Sequence, residues 1–186
     1  MVPPPPPMKS MKKTIGMVLS LFASSAGAHA ALTAPDEIRA GVAEVAERYA
    51  NAIACGGIKI RPEDVHVLDA GRIDSHLPRY AVLWNGDLAC YGGSGSPATH
   101  LIVATLNTGR YLVQPQLSSP VVAFELPVRF VTRVVRAEGN TLVLEGKEHA
   151  ATDPRSNPSI PVRFTLRAEP DGNWKLVDKT SIAKAH

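Results

Sequence analysis

Between Pro35 and Cys55 the apolar residues Ile38, Val42, Val45, Tyr49 and Ile53 recur at steps of three and four, with Asp36, Glu37, Glu44, Glu47 and Arg48 between them. On a helix that spacing gathers the apolar side chains into one stripe, so it predicts an amphipathic helix. Thr33 is placed to cap its start, and Gly56-Gly57 to end it through a left-handed turn; Gly41 weakens its interior. Beyond the glycines the pattern shortens to β-rich runs. These are Val65 to Leu68, Arg79 to Tyr91, His100 to Leu106, Arg110 to Val113, Val121 to Val135, Thr141 to Glu145, Val162 to Ala168 and Trp174 to Val177. Asn85-Gly86, Asn107 to Gly109, Glu138 to Asn140 and Pro170 to Asn173 punctuate them with turn chemistry. Short turns make successive strands antiparallel neighbours, and Pro127 argues for an edge or a bulge. The fold expected is α+β: one N-terminal amphipathic helix packed on an antiparallel meander of about six to eight strands, covering one of its faces.

The twenty residues from Met11 to Ala30 have the three parts of a secretory signal. Lys12 and Lys13 give a charged start, Ile15 to Ala23 is mostly apolar, and Ala28-His29-Ala30 is a cleavage motif. The apolar run is about half the roughly 20 residues that a membrane-crossing helix needs, so no stable span is expected after cleavage. Residues 1–30 therefore read as leader and signal peptide, and 31–186 as a single α+β domain that works in the periplasm or outside the cell. The five prolines from Pro3 to Pro7 fit no part of such a signal, which makes Met8 or Met11 the better start.

That boundary changes the meaning of the charge. Three of the 20 basic residues, Lys9, Lys12 and Lys13, fall in the leader, leaving 17 to balance the 17 acidic ones. With no net excess and no block of like charges, no nucleic-acid partner is expected. Cys55 and Cys90 both lie after the leader, and in an oxidising compartment an even count favours a disulfide over a metal site or a catalytic thiol. Closing a loop of about 35 residues restricts the unfolded chain by roughly 4 kcal/mol.

The most distinctive local string runs from Trp84 through Cys90 and Tyr91 to the glycine-rich Gly92 to Ser96. If Asn85-Gly86 is a two-residue turn, Ala81, Leu83, Leu88 and Cys90 share one face of a hairpin. A Cys55–Cys90 bridge then pins the helix over that face, and Tyr80, Trp84 and Tyr91 point the other way. Two expectations follow for the aromatic face: a recognition surface for a protein or envelope partner, completed by Gly93 and Ser94, or a second small core under later strands.

No motif fixes a reaction. Ser94 lacks the glycine two positions later that a nucleophile elbow requires, and the glycine-rich loop leads into a strand where a phosphate cradle requires a helix. A small serine hydrolase using Ser94, with His100 as the nearest base, stands as the alternative to a non-enzymatic binding protein. The histidines show no metal-ligand spacing, and neither metal nor cofactor is expected.

Around the same residues the chain resembles a group of small exported bacterial proteins of unknown function. The string is carried by Tyr80, Val82, Trp84, Gly86, Asp87, Cys90 and Gly92 to Gly95, and the likeness runs from about Val65 to Asp178. The resemblance implies export and a β-rich domain, and it brings no activity. Some of those proteins have further cysteines where this chain has Asp153 to Pro158, so a second disulfide or a thiolate metal site there is excluded.

Overall fold

The computed structural model describes residues 34–69, 77–88, 90, 97–119, 126–169 and 173–182; the signal segment and Thr33 lie outside them. The helix, α1 (Asp36–Ile53), is followed by β1 (Val65–Asp69), β2 (Arg79–Gly86), β3 (Ala98–Asn107) and β4 (Arg110–Val113). After these come β5 (Phe130–Glu138), β6 (Thr141–Glu148), β7 (Ile160–Ala168) and β8 (Trp174–Ser181). The strands form two antiparallel four-stranded sheets, β1-β2-β3-β4 and β5-β6-β7-β8, each in chain order.

The expected single meander is thus two. The reason lies in β2 and β3, which are apolar on both faces. Tyr80, Val82, Trp84, Ile102 and Ala104 form one buried cluster with Val42, Ala43, Ala46 and Ala50 of α1. The alternate residues Ala81, Leu101 and Val103 form a second cluster with Leu142, Leu144, Val162, Phe164 and Leu166 of the other sheet. One helix can cover only one face of a sheet, so the second sheet supplies the cover for the other.

Two polar devices join the layers. The segment after β4 continues along β3: the Gln114 amide donates to the Val103 carbonyl at 2.8 Å and the Ser119 amide to that of Leu101 at 2.7 Å. The buried Ser118 hydroxyl accepts from the Val103 amide at 2.9 Å, so half of β3's edge is closed without a strand. The Trp174 indole N–H donates to the Leu117 carbonyl at 3.0 Å and ties β8 to this segment. On the helix side, the Asn51 side chain both donates to the Ile58 carbonyl and accepts from its amide, and Glu47 accepts from the Ile60 amide at 3.0 Å. These contacts lay the extended segment after α1 back along the helix.

Gly56 has φ of 85°, but the expected left-handed turn does not end the helix: Ala54 at its C-cap is already extended, with φ of −125° and ψ of 161°. Gly41 serves packing. Its missing side chain leaves room for the Tyr111 ring of β4, whose Cε2 would lie 2.1 Å from an added Cβ.

Candidate binding site

Cys55 and Cys90 form a disulfide with a Cα separation of 5.3 Å, and the Cys55 amide donates to the Asp87 carbonyl at 3.0 Å. The end of α1 is thereby held to the segment after β2, in agreement with the pairing expected from the sequence. The bridge is compatible with a location outside the cytoplasm, and no helix among the described residues is long and apolar enough to cross a membrane.

The hairpin drawn around Asn85-Gly86 does not form. β2 runs straight through both residues and pairs with β3, Asn85 opposite Thr99 and Gly86 opposite Ala98. Gly86 answers a packing need instead of a turn: a Cβ there would sit 2.4 Å from Cζ3 of the Trp84 ring. Asn85 accepts a 2.6 Å hydrogen bond from the Thr99 hydroxyl. Because the chain leaves the strand before Cys90, that residue does not share the strand's alternation, and the two faces are interchanged relative to the expectation.

Tyr80 and Trp84 consequently face α1, only 4 % and 3 % exposed. Neither ring is available on the surface. They belong to a core, as the second expectation had it, but the cover is the helix and not later strands. The Trp84 indole N–H has no hydrogen-bond partner among the described residues, and its ring lies 4.7 Å from that of His100. His100 Nε2 is 3.1 Å from the Gly86 carbonyl, and burial pushes its pKa down. Tyr91, Gly93 and Ser94 lie outside the described residues.

What the structure does bring together is a trough between the outer strands of the two sheets. β1 hydrogen-bonds to β2 on one side and β5 to β6 on one side; their other edges border the trough, paired with no described strand. A hollow of about 250 Å³ is lined by Ala34 just ahead of α1, Arg39 of α1, Glu63, residues Val65 to Val67 of β1, and Val134 to Ala137 of β5. A second, of about 150 Å³, continues past Asp64, Leu83, Asn85 and Thr99 to Val131 and Arg133. The two meet at His66 and Val134.

β5 is fixed across the trough by a short polar staple. The Thr99 amide donates to the Arg129 carbonyl at 2.8 Å, and the Thr99 hydroxyl accepts from the Val131 amide at 3.0 Å. The register of β5 shifts between Val131 and Arg133 and again between Val134 and Arg136, and such bulges bend an edge strand. Val135 is left 42 % exposed beside the trough. The strand expected from Val121 to Val135 starts only at Phe130, so Pro127 lies ahead of it, while β5 itself is at a sheet edge.

The charges in the trough are unevenly matched. Asp64 and Glu63 are engaged by Arg61 at 3.2 Å each, and Arg133 is engaged by Glu145 at 2.6 Å. Arg136 lies 3.9 Å from Glu138. Arg39 donates through Nε to the Pro62 carbonyl at 2.8 Å and has no carboxylate partner among the described residues. His66 has its pKa lowered chiefly by burial, with Arg39 pushing the same way and Asp64 opposing. Its imidazole is therefore neutral near pH 7, able to donate from one ring nitrogen and accept at the other.

Sequence reasoning missed this site because its walls come from separate elements, with Arg39, His66 and Val135 far apart in the chain. The local signal was Arg133-Val134-Val135-Arg136, where the alternation of a strand breaks. No protein-family model, curated protein or solved structure matches the chain.

Proposed function

We propose that this is an exported, non-enzymatic protein of the periplasm or the extracellular space that binds a protein partner of the envelope by taking an extended segment of it into the trough between β1 and β5. The observation that carries this reading is the meeting of two strand edges, from different sheets, across an apolar-walled hollow. An extended segment laid along that hollow finds apolar contacts with Val65, Val67, Val134 and Val135, and polar contacts with Arg39 and His66. The Cys55–Cys90 bridge supports the exported location. The aromatic pair Tyr80 and Trp84 acts beneath the surface, holding α1 on the first sheet.

A photo-crosslinking amino acid placed at Val135, exposed beside the trough, tests this in living cells. Leu112 on β4, 47 % exposed, serves as the control position. A discrete adduct from the first position and none from the second is expected. Equal labelling at both, or none at Val135, overturns the proposal.

A further inference from the structure

We infer that the outer face of the second sheet, the one turned away from the first, is a docking surface for an acidic polysaccharide, held by Arg133, Lys147 and Arg163 around Glu145. It does not depend on what the trough receives.

The even balance of charge in the sequence conceals a division that the fold makes. Among the described residues, the part from Ala34 to Ser119 carries six basic and eight acidic side chains, and the part from Leu126 to Ile182 carries nine and six. Strand alternation then sorts the second set. Leu142, Leu144, Val162, Phe164 and Leu166 point into the core, so Glu145 and Lys147 of β6 and Arg163 and Arg167 of β7 point outward. Register places Arg133 opposite Glu145, Arg136 opposite Val143 and Lys175 opposite Arg167 on the same face. These six cations share the face with Glu138, Glu145 and Asp178, and Glu169 just past β7 engages Arg167 at 3.0 Å. The face keeps an excess of positive charge.

That excess is concentrated at its centre. Glu145 accepts from Arg133 Nε at 2.6 Å and from Arg163 Nε at 3.1 Å, and one carboxylate balances only one of two guanidiniums. Lys147, two residues further along β6, stands beside them. The shared carboxylate also orients both arginines. It takes Nε of each and Nη2 of Arg163, leaving both terminal nitrogens of Arg133 and one of Arg163 uncommitted among the described residues. Guanidiniums fixed in this way lose less freedom when an anion arrives. Two strand spacings separate Arg133 from Arg163, about 10 Å at the backbone, so a chain with repeated carboxylates meets both where a small anion meets one.

The exposed large apolar residues are Leu77, Leu112, Val135, Leu176 and Val177, none of them on β6 or β7. A protein interface centres on apolar side chains and is depleted of charge there, and a helix or loop docking on a bilayer buries apolar groups in it. Here the centre offers cations, with the hydroxyls of Thr165 and Thr180 beside them in register. Those groups match the carboxylates and hydroxyls of an acidic sugar chain. The exported location proposed above puts such polymers within reach.

Biolayer interferometry with the full chain and immobilised polygalacturonate tests the inference. Binding at about 20 mM salt should weaken about tenfold or more by about 200 mM, as screening shortens the reach of exposed charges. Arg163→Gln with Lys147→Gln, which leaves Glu145 paired to Arg133, should weaken binding about tenfold at the lower salt. Arg167→Gln with Lys175→Gln should weaken it about threefold, since these cations lie away from the centre. Arg48→Gln with Arg110→Gln removes the same charge from α1 and β4 and should change binding less than about twofold. No binding of polygalacturonate at the lower salt, no effect of the first pair, or equal weakening by the α1 and β4 pair overturns the assignment. Tighter capture by phosphatidylglycerol vesicles than by polygalacturonate at equal anion concentration gives the face to a membrane and also overturns it.

Discussion

Replacing Gly41 with alanine tests how α1 is seated on the first sheet, and the sign of the effect is the informative part. On helix propensity alone the change stabilises by about 1 kcal/mol. In this fold the new Cβ would lie 2.1 Å from Tyr111 Cε2 and 2.5 Å from Cζ. Carbon atoms in contact sit about 3.5–4.0 Å apart, so the ring or the helix must move by roughly 1.5 Å. Overpacking of this kind costs about 1–3 kcal/mol, which outweighs the propensity gain and leaves a net loss of about 1 kcal/mol. In a Tyr111→Ala background the obstacle is gone, and the same change should stabilise by about 1 kcal/mol. The double-mutant cycle therefore has a coupling of about 2 kcal/mol, large for two residues 70 positions apart in sequence. Urea denaturation of the four proteins, with equal slopes, measures it. Stabilisation by Gly41→Ala in both backgrounds alike would refute the argument, because it would mean that the tyrosine ring does not rest on the glycine.

Replacing both Cys55 and Cys90 by serine frees a loop of 35 residues and should lower stability by roughly 4 kcal/mol in urea denaturation, with a steeper slope because the uncrosslinked unfolded chain exposes more surface; a loss below about 1 kcal/mol refutes the chain-entropy argument. Acid behaviour should follow Glu145, which Arg133 and Arg163 together hold at a pKa of about 2. A carboxylate whose folded pKa is depressed stabilises above its unfolded value of roughly 4.3, and that contribution is lost as pH falls towards the folded value. Glu145→Gln should therefore be less stable than the native protein at pH 7, with the difference shrinking between about pH 4.5 and pH 2 in urea titrations; a pH-independent difference contradicts it.

Much of the secondary structure was legible because the two periodicities are strong where one face of an element is buried. The helix expected between Pro35 and Cys55 spans Asp36–Ile53, and the expected runs on the late strands fall within Thr141–Glu148, Ile160–Ala168 and Trp174–Ser181. The errors share a cause. Asn-Gly is a strong turn signal, but it describes only local chemistry, and here Gly86 makes room for the Trp84 ring while Asn85 is held by Thr99. Once that turn was misplaced, the parity of Cys90 went with it, and the aromatic residues were assigned to the wrong face. The existence of two sheets was present in the sequence only indirectly, in β2 and β3 having no polar side. The trough depends on which strand edges meet, a property of layer packing that no window of residues encodes.

The two central strands of the first sheet send alternate side chains into separate cores, with Tyr80, Val82 and Trp84 on one side and Ala81 on the other. Adding or deleting one residue inside β2 would exchange these sets, driving bulky rings into the space that Ala81 fills and leaving the helix over a void. Tolerance to length variation should accordingly be confined to the connections, such as the tight link at Thr108 and Gly109. For anyone inserting tags or reporter domains, the middle of the molecule is closed to indels.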